Sequence, residues 1–189
     1  MLAALRSRRR HRTQKGAVAI EAALITPVFI LVLFGIIEFG MLFKDWLAVS
    51  SSVRAGARLA SAEPRVTTFA QDAADNVAME GNALQMTNVK QLWVYKADTD
   101  GYPTGVGSFS DCTVCVKFTW NTSSNAFEPS YSNWESTSQN ACQGTQDAIG
   151  VYMEIEHDSV TKFIFDSFDI TEHTVMSLEP IPVAQVCKS

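Results

Sequence analysis

Histidine is scarce in this 189-residue chain, with three in all, and charge is missing from two long stretches. Residues 1–15 contain no acid, and from Ala22 to Phe43 the only charged side chain is Glu38. With His11 in the N-terminal arm, only His157 and His173 remain as candidate imidazoles, and no motif joins either to a nucleophile or a zinc-binding helix. Surface or strand histidines are the expectation, with no catalytic residue, cofactor or metal. Asp98-Thr99-Asp100-Gly101 opens like a calcium loop, but the glycine comes too early and no acid closes it, so a turn is the reading. No internal repeat is visible, and the only low-complexity run is the arginine-rich arm. Disorder is excluded by what is abundant: 47% hydrophobic residues, eleven Phe and four Trp suit one compact domain with an appendage.

The net charge of -5 conceals a split. The first fifteen residues carry Arg6, Arg8, Arg9, Arg10, Arg12 and Lys15, while the remainder has nine basic and twenty acidic side chains. A basic arm can bind nucleic acid, but the apolar run beyond it argues otherwise. Ala22–Phe43 as a helix rises about 33 Å, close to the thickness of a bilayer's hydrocarbon core. A span is expected there, with the basic arm held in the cytoplasm, the chain beyond Lys44 outside it, and no nucleic-acid partner.

The apolar run continues as a helix with Trp46, Leu47, Val49, Val53, Ala57 and Leu59 at three-to-four spacing, and Pro64 ends it, giving one helix over 17–62. Trp46, Phe39 and Phe43 suit an aromatic belt or packing on neighbouring helices. A second helix is expected from Thr68 to about Glu80, with Phe69, Ala73, Val77 and Ala78 inward and Gly81 as the stop. The period then shifts toward two, predicting four strands at Val89–Lys96, Thr113–Trp120, Ile149–Glu156 and Thr171–Leu178. Asp98–Pro103 reads as the turn between the first two, Asn121–Gly144 as a long Ser/Asn-rich excursion, and Ser159–Phe168 as a short helical or irregular link. The fold class is α+β: a long N-terminal transmembrane helix packed on a small four-stranded antiparallel sheet. The divisions are a basic leader 1–16, the helix 17–62 with its span at about 22–43, and an extracytoplasmic domain 63–189.

All four cysteines, Cys112, Cys115, Cys142 and Cys187, fall in the part placed outside, where disulfides persist. If Cys112 and Cys115 lie in a strand, an offset of three sends their side chains to opposite faces. The expectation is that each bonds separately with Cys142 or Cys187, in an order left open. A redox pair at Cys112 and Cys115 is the competing reading.

A secretory signal would place a small-x-small site directly after a short apolar region. Ala60-Ser61-Ala62 matches such a site but lies nearly twenty residues past the apolar run. On the other side, Lys15-Gly16-Ala17-Val18-Ala19-Ile20-Glu21 puts a glycine before the apolar helix and a glutamate five residues later. This resembles the cleavage motif of type IV prepilins. A glycine lets a protease draw the backbone close, although a glycine at a loop-to-helix junction with an incidental acid has the same form. Gly16-Ala17-Val18-Ala19-Ile20-Glu21-Ala22-Ala23-Leu24, leading through Pro27 into Gly35-Ile36-Ile37-Glu38-Phe39-Gly40 and then Val53-Arg54-Ala55-Gly56-Ala57-Arg58-Leu59-Ala60, is similar to the TadE-like pseudopilins of tight-adherence (Flp) pilus systems. The resemblance covers residues 15–62, and the rest only in layout.

That resemblance implies cleavage after Gly16 by a prepilin peptidase, with Ala17 as the mature N-terminus. It implies a minor pilin in an initiation or tip complex, located in the bacterial inner membrane or incorporated into a pilus. The implied partners are the peptidase, other pilins and pseudopilins, the inner-membrane assembly platform and the membrane itself. It also implies that Glu21 pairs with the Ala17 amine of a neighbouring subunit and sets the register between helices; an acid resting in the inner headgroup region is the plainer alternative. Glu38 is a weaker candidate, expected near the outer interface within reach of water. Pro27, Gly35 and Gly40 either shape and pack the helix or let it bend as it leaves the bilayer. Two other readings remain: an uncleaved single-pass protein whose outer domain binds a partner, and a membrane-tethered thiol oxidoreductase.

Overall fold

The structure is a computed structural model that describes the backbone of residues 7–162 and 165–181 and the side chains from Gly16 onward. The side chains of the basic arm, and Cys187, lie outside the described residues. Helix α1 runs over Ser7–Ala62 and helix α2 over Phe69–Glu80. Five strands complete the fold: β1 Val89–Ala97, β2 Cys115–Asn121, β3 Ala126–Ser132, β4 Ala148–Asp158 and β5 Ser167–Ser177. They form one antiparallel sheet in the order β3-β2-β1-β4-β5.

The α+β class and the long apolar helix stand as expected, but the sheet has five strands rather than four. The missed strand, β3, lies inside the Ser/Asn-rich excursion. Its sequence, Ala126-Phe-Glu-Pro-Ser-Tyr-Ser, hides the usual signals because it is an edge strand with one buried residue, Phe127, and a proline that only an edge tolerates. The turn before it is made by Asn121, whose side chain accepts the Ser123 amide (2.8 Å), and by Asn125 at φ 52. The link between β1 and β2 also extends beyond the expected Asp98–Pro103 turn. Asp98 accepts the amides of Asp100 and Tyr102, Gly101 supplies the left-handed residue, and the chain then continues irregularly to Val114. The Ser159–Phe168 link is irregular as far as Asp166 among its described residues, and β5 begins at Ser167.

Helix α1 docks one stripe of its outer half against α2, β4 and β5. Val49, Val53, Ala57 and Ala60 are fully buried, while Trp46 and Leu47, expected on that stripe, are 41% and 49% exposed. The series 38, 42, 45, 49, 53, 56, 60, buried except for the half-buried Leu42 and Asp45, has the helical period, and Trp46 and Leu47 stand off it. Facing α1, helix α2 buries Phe69, Ala70, Ala73, Ala74 and Val77. Leu92, Val94, Val116, Phe118, Phe127, Ile149, Val151, Met153 and Ile155 close this core from the sheet. Alternation along β1 turns Trp93, Tyr95 and Ala97 to the opposite face, where the 98–114 segment covers them.

Candidate functional site

Between Ala17 and Ile37 the side chains of α1 are almost all exposed, and Gly16–Ala62 is long and apolar enough to cross a membrane, with a mean hydropathy of 2.5 in its most apolar window. Gly16, Ala17 and Glu21 are helical and exposed, and a Cβ added at Gly16 would meet nothing within 4 Å. No other part of the described chain is brought to them. The helix is continuous through Pro27, which cannot donate to Ala23, and next to it the Thr26 hydroxyl donates to the Ala22 carbonyl (2.6 Å). Gly35 is half-buried, whereas Gly40 is exposed with open space at its Cβ position.

Glu38 departs from its expected setting. Instead of meeting water, its carboxylate is fully buried against the β4–β5 connection. One oxygen accepts the Val160 amide (2.8 Å), and the other accepts the Thr161 amide (3.1 Å) and hydroxyl (2.9 Å). Two successive backbone N–H groups form an anion cradle, and hydrogen bonds to an ionised acceptor are the strong ones. The reason is its place on the stripe: Glu38, Leu42, Asp45 and Val49 share one helix face, so Glu38 points toward the domain. That spacing was present in the sequence; the donors, more than a hundred residues away, were not.

About two turns further, the buried His157 of β4 has its Nδ1 2.7 Å from Asp45 Oδ2, while its Nε2 is buried without a partner. Asp45 also meets Lys44 (3.1 Å), whose ammonium donates to the Ala83 carbonyl (3.2 Å). The Trp46 indole donates to Glu172 of β5 (2.6 Å). Asp45 and Trp46 thus tie one turn of the helix to β4 and β5, and Lys44 ties it to the segment after α2. Beside them Phe39, Gly40, Leu42, Phe43 and Trp46 face Phe168 and Ile170 across an apolar groove of about 680 Å³. His157, Asp45 and Thr161 were not singled out from the sequence, because nothing local marks residues paired over such distances.

The cysteines correct an expectation. Cys112 is bonded to Cys115, with Cα atoms 6.0 Å apart, and Cys142 is disulfide-bonded as well. The offset argument placed both members of the close pair in a strand, but β2 begins only at Cys115. A bend at Thr113-Val114 turns the chain so that the two sulfurs meet. Both residues are buried with Trp93, Tyr95 and Tyr152. Phe109 stacks on Tyr152 at 4.6 Å and lies edge-on to Tyr95, fastening the segment to the sheet. Asp111 beside it is held below the usual carboxylate range, first by its bond to the Lys117 ammonium (2.6 Å) and then by the Cys112 amide.

The family model of TadE-like proteins matches residues 16–58. Comparison with curated proteins and with solved structures gave no match. The matched segment opens on Gly16, takes in the exposed apolar helix, Glu38 and most of the docking stripe, and stops before the sheet. Over those residues the long helix is similar to that of TadE-like proteins, and the chain is consistent with a TadE-like protein of the Tad/Flp pilus system.

Proposed function

We propose that this chain is a minor pseudopilin of a tight-adherence pilus, cut after Gly16 by a prepilin peptidase and acting in pilus initiation or in a tip complex. In this reading it is a structural component and not an enzyme. The observation that carries it is the family match beginning on Gly16, at the head of an apolar helix whose side chains are almost all exposed before Glu38. Such a helix needs a lipid or helical environment, and an added domain at its far end is what a filament component presents outward. The N-terminus lies on the cytoplasmic side of the inner membrane and the sheet domain on the other. Glu21, one turn from the new Ala17 amine, pairs with that amine on a neighbouring subunit. The partners are the peptidase, other pilins and the assembly platform. The buried Cys112–Cys115 bond offers no accessible sulfur to a substrate, which gives the oxidoreductase reading no support.

N-terminal sequencing of the membrane-associated protein, with and without the peptidase, tests the proposal. A chain beginning at Ala17 only when the peptidase is present is expected. A start at Glu63 would point to signal cleavage after Ala62, and a full-length chain in both strains to an uncleaved single-pass protein.

A further inference from the structure

Helices α1 and α2 carry opposite charges that do not meet. From Trp46 to Ala62, α1 holds Arg54 and Arg58 and no acid, while α2 holds Asp72, Asp75 and Glu80 and no base. The two helices pack on one another, yet among the described residues neither guanidinium has a carboxylate partner. Arg54 donates to the Ser50 hydroxyl (2.9 Å), Asp75 accepts from the Gln71 amide (2.9 Å), and Asp72 is hydrogen-bonded to Glu63. The cause is the direction in which each face points. Ser51, Arg54 and Arg58 lie across α1 from the buried Val49, Val53, Gly56 and Ala60. Asp72, Asp75 and Met79 lie across α2 from the buried Ala70, Ala73, Ala74 and Val77. All six outward side chains are exposed except Asp72, which is half-buried.

The two faces also match in height. Helix α2 runs antiparallel to α1, since a Cβ at Gly56 meets Ala73 and Val77, and one at Gly81 meets the Ser52 hydroxyl. Asp75, midway between Ala73 and Val77, is therefore level with Gly56. At 1.5 Å per residue, Arg54 stands about 3 Å nearer the membrane than Asp75 and Arg58 about 3 Å farther from it. On the same scale Asp72 is within about 2 Å of Arg58 in height, and Met79 within about 2 Å of Ser51. We propose that the outer face of α1 docks on the outer face of α2 in a second copy of this chain standing beside it, with Arg54 and Arg58 bracketing Asp75 of that copy. The inference rests on the reading of α1 as a membrane span, because copies that share a membrane and an orientation keep these heights whatever their rotation about its normal. A second copy is the occupant because the complement of each face stands on the same chain, at the same level and turned outward. Anionic lipid is out of reach: Arg54 lies about 17 Å and Arg58 about 23 Å beyond Phe43, whereas headgroups extend about 5–8 Å past the hydrocarbon core. The contact therefore forms in water, where each ion pair contributes little and yields to salt. Met79, 70% exposed, adds an apolar contact at the level of Ser51. Every copy carries both faces, so the contact either closes as a two-fold pair about the membrane normal or repeats as a row.

The test uses two differently tagged copies of the full chain in phosphatidylcholine vesicles, one carrying Ser51→Cys and the other Met79→Cys, both at exposed positions. Mild oxidation without reductant should join them at least about fivefold more than it joins Ser51→Cys with Thr99→Cys, which lies in the turn beyond β1. Adding Arg54→Glu and Arg58→Glu to the Ser51→Cys copy should lower the joined fraction about three- to tenfold. Adding Asp75→Arg to the Met79→Cys copy should then restore most of it, and raising the salt from about 0.05 M to 0.5 M should weaken the unaltered pair severalfold. Joining no greater than the Thr99→Cys control, in protein that resists alkaline extraction, overturns the contact and leaves the span intact. Protein released from the vesicles by alkali overturns the span and the equal heights with it. Joining that charge reversal leaves unchanged, or that Asp75→Arg fails to restore, overturns the pairing of Arg54 and Arg58 with Asp75.

Discussion

Gly56 is the position at which helix α1 can be tested as the platform of the distal domain. It lies on the docking stripe where α2 crosses, and a Cβ built there would stand 2.6 Å from Val77 Cγ2 and 3.0 Å from the Ala73 carbonyl oxygen. Carbon atoms prefer about 3.5–4.0 Å, so the first contact is short by roughly 1 Å. Val77 is fully buried and β-branched, with little freedom to turn away in a helix, and the second contact is to backbone. The helices must therefore part, loosening Val53, Ala57, Ala73 and Ala74, all fully buried. Overpacking of this kind costs about 1–3 kcal/mol, while alanine regains about 1 kcal/mol of helix propensity over glycine. Gly56→Ala should then destabilise by about 1–2 kcal/mol at most, and Gly56→Val, with two more methyl groups and poorer propensity, by about 3 kcal/mol. At about 3–6 °C per kcal/mol, the valine variant should melt roughly 10–15 °C below wild type. Near-ultraviolet circular dichroism of the detergent-solubilised chain is suited to the measurement, because the buried Trp134 packs edge-on to Phe69 of α2 (5.3 Å). Gly40→Ala, where an added Cβ meets nothing within 4 Å, is the control and should leave the transition unchanged. A Gly56→Val chain that melts with wild type would show that the α1–α2 crossing does not limit the domain's stability, and the reasoning would fail.

Other outcomes are expected from the same geometry. Non-reducing peptide mapping should return Cys112 and Cys115 bonded to one another, and Cys112→Ser, which opens a four-residue loop, should cost about 2 kcal/mol; a map joining either to Cys142 would refute it. Glu63 has its carboxyl raised above the ordinary 4.5, chiefly by burial and then by the charge of Asp72, and its Oε2 is buried without a partner. A raised carboxyl favours the folded state below 4.5 and loses that contribution as pH rises through the shifted value, so Glu63→Gln should raise the melting temperature at neutral pH and change little in acid; equal shifts at both pH values would refute it. Gly16→Leu should block processing by crowding the peptidase site, read as an unshifted mass, and Glu21→Gln should process normally yet lose piliation, with normal piliation ruling out the register role.

The sequence by itself determined what depends on local composition and period. An uninterrupted apolar run fixes a helix able to span a bilayer, because length and side-chain chemistry alone decide that. Helix α2 with its end at Gly81, and four of the strands, were legible for the same reason: a repeat of 3.6 or 2 in burial is written into neighbouring residues. Strand β3 was not, since an edge strand with one inward side chain has no period to detect. The cysteine pairing failed at a boundary, because two residues of bend separate a strand offset from a closed ring. Only the tertiary structure decided the fate of Glu38. Its charge and depth were readable, but whether it faced water or protein depended on a loop that folding carries across more than a hundred residues. The same is true of Asp45 and His157, which become partners only when the sheet docks along the helix. Burial of a charged group is a property of what surrounds it, and no stretch of sequence contains its own surroundings.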